Sequence, residues 1–321
     1  MFKTKKAIKI RTIFMGSSSF SRDILDAMLK EKYNIISVYT KPDKKVGRNQ
    51  ELLSSPVKTL AKENDIPVME IERFDLEAQE NLKRQKPDLI VVVAYGKILP
   101  KEVLETPGFG SLNIHASLLP KFRGPSPVQN AILNGEKETG ATLMLMNEGI
   151  DSGDILAQEK IKIGPSDFLP EIMGKLSIVS AKLVLEKVPL WIERKIKPQE
   201  QDESQASFCQ LIERSDGKIF WNEDAQNIYN KFRAFYPWPG VFTYLEDESI
   251  KRIKLIKISL ANKEVAPQPE FGKVFRSDEE IAVQTANGQI ILKEIQLEGK
   301  KIMTIEDFVN GYPDFVGSIL K

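Results

Sequence analysis

The first 190 positions carry short unbroken apolar runs separated by stretches of helical periodicity. Residues 8–16 (IKIRTIFMG), 35–40 (IISVYT), 88–94 (DLIVVVA) and 111–117 (SLNIHAS) have the length and near-continuous apolarity of strands buried on both faces. The stretch SSSFSRDILDAMLKEK opens with serines suited to capping a helix N-terminus. Ser55 and Pro56 open a second helix, SPVKTLAKEND, with proline in its first turn. A long amphipathic helix is predicted over 167–188 and closes this half. Strands alternating with helices predict a Rossmann-like, doubly wound parallel α/β sheet over residues 1–190.

The pattern then changes. Residues 195–207 are polar and without apolar periodicity, which reads as a linker and places one over 191–207. Over 208–321 strand-like runs dominate: VFTYLE, KRIKLIKISL, KVFRS and IAVQTANGQIILKEIQL. The last holds Asn287-Gly288 between two alternating runs, a strong hairpin signal. These runs predict a C-terminal OB-like β-barrel domain with helices at 224–235 and 304–310. Thr304 and Asp307 cap the second helix, and Gly311 ends it.

Composition adds limits. The chain is 41% hydrophobic and 28% charged, the balance of a soluble globular protein. With 46 cationic against 45 anionic side chains, any surface for a polyanion must come from local clustering. The basic start, MFKTKKAIKIRTIFMG, lacks a signal-type apolar region, and no run is long enough to span a membrane. The single cysteine, Cys209, excludes an intrachain disulfide, and in SFCQLI it reads as a small core residue. A reducing cytoplasm fits these features.

Chemistry concentrates in SLNIHASLLPKFRG. Residues two apart on a strand share a face, so Asn113 and His115 project together from a strand end, where open α/β sheets bind ligands. His115 is the only histidine. Taken alone, the pair fits a satisfied core histidine beside a turn asparagine as well as it fits a site. In MNEGIDSGDIL, Gly149 and Gly153 bracket Asp151, which on its own is a good turn residue. Asp154 lies in the same loop, and spacing does not choose between the two carboxylates.

The ordered set Asn113-x-His115, Ser117-Leu118-Leu119-Pro120 and Asp151, 38 positions after Asn113, resembles the folate-dependent formyltransferase family. The resemblance selects Asp151 over Asp154 and implies a catalytic trio of Asn113, His115 and Asp151. By matching position, it assigns Tyr95, Gly96, Ser117, Leu118, Leu119 and Pro120 to the folate pocket. The turn Gly16-Ser17-Ser18-Ser19-Phe20 departs from the family's usual Gly-Thr-Pro. TKPDKKVGR (40–48) with SSPVK (54–58), KFRAFYPWPGVFTY (231–244) and LEGKKIMTIEDFVNG (297–311) are similar to the tRNA-directed members, whose inserted loop enters the tRNA acceptor end.

What the resemblance implies is formyl transfer from 10-formyltetrahydrofolate to the amino group of initiator methionyl-tRNA, by a monomer and without a metal. Asn113 and His115 then donate to the developing oxyanion, and Asp151 supports an imidazolium or accepts the amine proton. Lys41, Lys44, Lys45 and Arg48, against Asp43, make a basic loop for RNA. Residues 205–321 hold 15 cations against 17 anions, net −2, so RNA contact there falls to a local stripe, Lys251, Arg252 and Lys254. Trp238 reads as core or hinge. An amino-sugar-nucleotide formyltransferase is the alternative; it lacks the PDKKVGR-type insertion. A formyl-folate hydrolase or a non-catalytic RNA-binding protein would need neither the barrel nor the intact trio, respectively.

Overall fold

Burial on both faces turns the apolar runs into central strands. In the computed structural model, which describes residues 9–46, 50–246, 250–261, 270–277 and 279–321, β1 (Thr12–Gly16) and β2 (Ile35–Thr40) flank α1 (Ser19–Lys30). The serine-rich start of that helix acts as expected. Ser18 is its N-cap, accepting from the Ser21 N–H at 3.1 Å. The basic stretch after β2 forms a small hairpin, β3 (Lys44–Val46) with β4 (Glu51–Leu53), and α2 (Pro56–Glu63) follows with Ser55 as its cap. Next come β5 (Val68–Glu70), α3 (Leu76–Arg84), β6 (Leu89–Val93), α4 (Lys101–Leu104), β7 (Ser111–His115) and α5 (Pro127–Leu133). They are followed by β8 (Glu138–Leu145), β9 (Ile155–Lys162) and the long α6 (Leu169–Ile192).

By internal contact the chain divides into two units. One comprises Met1–Pro127, Glu138–Lys162 and Ile172–Gln210; the other comprises Val128–Lys137, Ile163–Glu171 and Leu211–Lys321. The first carries a seven-stranded sheet in the order β5-β2-β1-β6-β7-β8-β9. The pairings from β5 to β7 are parallel, while β8 and β9 run antiparallel. The sheet is therefore mostly parallel, with an antiparallel pair added beyond β7. Every residue of β1, β6 and β7 is buried, as near-continuous apolarity requires.

The polar segment expected as a linker over 191–207 is structured in part. α6 runs on to Ile192, and Gln199 pairs with Ile155 in both directions at 2.8 and 3.0 Å. Glu203–Gln205 make a 3₁₀ turn capped by the Asp202 side chain. Its polar groups make hydrogen bonds to protein.

The second unit holds α7 (Ala225–Ala234), β10 (Val241–Glu246), β11 (Ile250–Leu260), β12 (Val274–Ser277), β13 (Glu280–Gln284), β14 (Gln289–Leu297), β15 (Ile302–Thr304) and α8 (Ile305–Gly311). Its antiparallel sheet runs β10-β11-β14-β13-β12, with β15 on β14. Gly288, at φ +81°, makes the predicted turn between β13 and β14. Thr304 caps α8 through the Asp307 N–H, and the helix includes Gly311 rather than stopping before it. The last residues join both outer strands. Lys321 exchanges two 2.8 Å hydrogen bonds with Tyr244 of β10, and Val274 of β12 exchanges bonds with Gly317 and Ser318. The barrel-type architecture follows from this closure.

Candidate active site

β7 lies between parallel β6 and antiparallel β8, so its C-terminal end is fixed from both sides. Asn113 is registered against Val92 and Met144, and His115 against Thr142. Both side chains are buried, at 8% and 6% exposure. Asp151 arrives from the turn between β8 and β9 with φ +48°, a left-handed conformation uncommon for a non-glycine residue. Its carboxylate meets both strand residues. Asn113 Nδ2 donates to Oδ1 at 3.3 Å, and His115 Nδ1 lies 3.5 Å from Oδ2. The Gly124 backbone N–H also donates to Oδ2, at 2.8 Å. Asp154, the other carboxylate of the loop, contributes its main-chain carbonyl to Leu145 N.

The histidine's tautomer follows from its neighbours. His115 Nε2 is 2.9 Å from the Phe122 carbonyl oxygen, which can only accept, so Nε2 carries a hydrogen. The other nitrogen, Nδ1, faces the Asp151 carboxylate. Proton gain or loss on this ring therefore occurs on the Asp151 side.

The Ser117–Pro120 segment continues from β7 and is tied from behind. Thr142 Oγ1 donates to Ser117 O at 2.6 Å and accepts from Leu119 N at 3.1 Å. Gln158 Nε2 donates to Leu119 O at 2.8 Å, and Ser117 Oγ donates to Lys121 O at 2.6 Å. On the neighbouring strand end, Ala94 and Gly96 have φ of +42° and +67°, turning the backbone sharply after β6. The Tyr95 side chain packs in the core against Phe74, and among the described residues its buried hydroxyl has no hydrogen-bond partner. Burial, reinforced by Tyr39, pushes that phenol's pKa up.

Residues expected to meet RNA fall into different surroundings. Lys41 points back toward the site: its Nζ lies 2.5 Å from where a Cβ on Gly96 would be. Burial, followed by the ammonium groups of Lys44 and Lys97, lowers its pKa. Lys44 is exposed on β3, Lys45 pairs with Leu52, and Arg48 lies outside the described residues. The base of this hairpin is pinned by buried Lys58, whose Nζ donates to Asp43 Oδ2 and Glu70 Oε2, both at 2.8 Å. These two partners raise the lysine's pKa.

In the second unit the expected cationic stripe is split by strand alternation. Lys251 shares a strand face with buried Ile253 and Leu255, whereas Arg252 and Lys254 share the other. The Arg252 guanidinium sits 3.7 Å from the Phe242 ring centroid, and the Lys254 stem covers Gly240. Trp238, expected in the core or at a hinge, is 52% exposed, which rules out the core. The fixed φ of the flanking prolines Pro237 and Pro239 restrains this turn.

Several residues that hold the site have no sequence signal. Arg123 and Gln201 are 78 positions apart and bond directly, and Cys209 Sγ lies 3.2 Å from Arg123 O. Burial raises the Cys209 pKa, and the Asp151 carboxylate raises it further. The Phe122 carbonyl and Gly124 N–H are backbone groups that no motif could name; only the glycine hints at the turn, through its φ of +111°.

Comparison with known proteins extends this picture. The formyl transferase family matches residues 8–188, and the formyl transferase C-terminal domain matches 211–313. Methionyl-tRNA formyltransferase of Caldicellulosiruptor saccharolyticus is 42% identical over 312 residues, covering 96% of this chain and 99% of that protein. The enzyme of the same name from Geotalea uraniireducens is 39% identical over 313 residues, covering 97% and 98%. Among solved structures, an N-formyltransferase from Helicobacter canadensis in complex with folinic acid and dTDP-3-aminofucose has a TM-score of 0.65 at 22% identity. It covers 88% of this chain and 98% of its own, a likeness of fold. The chain thus belongs to the formyl transferase family.

Proposed function

We propose that this protein transfers the formyl group of 10-formyltetrahydrofolate to the amino group of initiator methionyl-tRNA, acting in the cytoplasm as a monomer. The observation that carries the reading is the meeting of Asn113, His115 and Asp151 at one strand end. Near-full-length likeness to methionyl-tRNA formyltransferases supports the acceptor. Among the described residues, no helix is long and apolar enough to cross a membrane.

The residues beside the trio suit a folate. A fused ring with amide-like edges needs turned backbone to pair with and an apolar wall to lie on. Ala94–Gly96 provide the first, and Leu118, Leu119 and Pro120, held by Thr142 and Gln158, provide the second. The donor brings a formyl carbon already activated on an amide nitrogen. What the protein adds is placement, water exclusion and proton handling. Asn113 offers a preorganised N–H where negative charge grows on the formyl oxygen, in a buried setting where such a bond counts most. His115 is held by Phe122 O so that Nδ1 and the Asp151 carboxylate form one proton-accepting pair. The proton lost by the attacking amine passes to that pair and on to the folate N10, whose bond to the formyl carbon breaks as the new amide forms.

Incubation with labelled formyl donor and, separately, methionyl-tRNA, free methionine or a dTDP-amino sugar tests the reading. Label should appear on methionyl-tRNA. Label on the amino sugar alone would establish the alternative acceptor, and release as formate without an acceptor would make the protein a hydrolase.

A further inference from the structure

The stretch 199–209 is a strap that crosses behind the trio. At one end Gln199 pairs with Ile155, just past the Asp151 turn. At the other, Ser207 Oγ accepts from Phe122 N at 2.9 Å, Ser207 O accepts from Arg123 N at 2.8 Å, and Cys209 N donates to Arg123 O at 2.8 Å. Phe122 supplies the carbonyl that holds His115, and Gly124 supplies the N–H that holds Asp151. The strap therefore grips the backbone supports of both residues.

Its centre is Gln201. The amide nitrogen donates to Asp151 O at 2.8 Å and to Gly153 O at 2.7 Å, closing the turn over the residue with φ +48°. The amide oxygen accepts from Arg123 Nε at 3.1 Å and Nη2 at 2.9 Å. Arg123 is itself 2% exposed and is held by Glu203 at 3.0 and 2.7 Å. This arrangement has a direction. A flipped amide would set its oxygen against two carbonyl oxygens and its NH2 group against a guanidinium, which has donors only. Arg123 thus fixes the polarity of Gln201, and Gln201 fixes the Asp151 turn. Strained backbone persists where its surroundings over-determine it, and here two side-chain donor bonds do so.

We infer that Gln201 is a positioning residue that holds the Asp151 carboxylate in register with Asn113 and His115, with its amide oriented by Arg123. The inference rests on Asp151 being the carboxylate of the reaction. Gln201→Glu separates positioning from simple anchoring of the strap. The new carboxylate keeps its length and gains an ion pair with Arg123, but it turns two donor contacts into oxygen–oxygen contacts. Misplacement on the scale of 1 Å can cost about 10²-fold in rate. Gln201→Glu should therefore lower kcat roughly 10- to 100-fold, with KM for donor and for methionyl-tRNA within about twofold and cooperative unfolding retained. In an Asp151→Asn background, measured in single turnover, the same change should have no further effect, since groups acting through one another are non-additive. Wild-type turnover in Gln201→Glu would overturn the inference, as would an equal fractional loss with and without the Asp151 carboxylate. Should Gln201→Glu fail to fold, Gln201→Met carries the same cycle, because it removes both donors without adding charge. If Asp151→Asn retains full activity, the reading of the site falls and the role of Gln201 with it. If Asp151→Asn is inactive and the Gln201 variants are normal, the Gln201 inference alone falls.

Discussion

The end of β7 and the outer face of β11 present opposite ways of using polar side chains. At β7 the side chains are fixed by named partners: Asn113 and His115 are almost wholly buried and meet Asp151, which is held through both carboxylate oxygens and its own carbonyl. On β11, Arg252 and Lys254 lie along aromatic and glycine surfaces with partial exposure. The difference suits the two roles proposed for them, catalysis at β7 and RNA contact on β11. Stabilising charge that develops at one atom rewards fixed dipoles in a dry setting. Attracting a polyanion rewards charge that many nearby phosphates can satisfy, and it loses little when one side chain moves. Substitutions at β7 should therefore be severe and specific, and those on β11 mild and dependent on salt.

The largest effect should come from Asp151→Asn, which keeps the shape and removes the charge. We expect kcat to fall roughly 10²–10⁴-fold, with the pH–rate profile altered, while Asp154→Asn stays nearly normal. The reverse result would mean that the wrong carboxylate anchors the trio. Asn113→Ala and His115→Ala come next, each lowering kcat about 10²–10³-fold in protein that still folds, the first by removing a donor to the oxyanion and the second by removing a proton acceptor. Thr142→Val tests the support beneath the Ser117–Pro120 segment. Losing a hydroxyl that serves Ser117 O, Leu119 N and Gln158 should cost about 1–3 kcal/mol in chemical denaturation and raise the donor KM.

Smaller effects sharpen the contrast. Lys41→Gln should raise the donor KM severalfold and leave the salt dependence of tRNA binding alone, because its ammonium lies against Gly96. If it flattens that salt dependence instead, Lys41 belongs with Lys44 on the RNA side. Arg252→Ala should reduce the slope of log K against log salt by about 0.7–0.9, with kcat intact at saturating tRNA, whereas Lys251→Ala should change the slope little. Loss of turnover in Arg252→Ala as complete as in Asp151→Asn would erase the distinction between the two regions.

The sequence was legible where local rules and burial agree. Central strands β1, β6 and β7 announce themselves by unbroken apolar runs, α1 and α8 by Ser18 and Thr304, and the β13–β14 turn by Asn287-Gly288. Asn113 and His115 share a face because any strand places i and i+2 together. It was not legible where contacts are set by distant partners. The segment containing Gln201 reads as a solvated connector, yet its role comes from Arg123, 78 positions earlier, and Asp151, 50 positions earlier. Alternation along β11 could have split Lys251 from Arg252 and Lys254; charge clustering alone merged them. Trp238 misled because proline-flanked tryptophan suggests packing, while its ring lies half in solvent.

The joining of β10 and β12 by residues 317–321 also bears on how the protein can be handled. A strand with unpaired N–H and C=O groups is a template for aggregation. Deleting five residues there would expose two such strands at once, so the visible symptom should be loss of solubility rather than a modest drop in melting temperature.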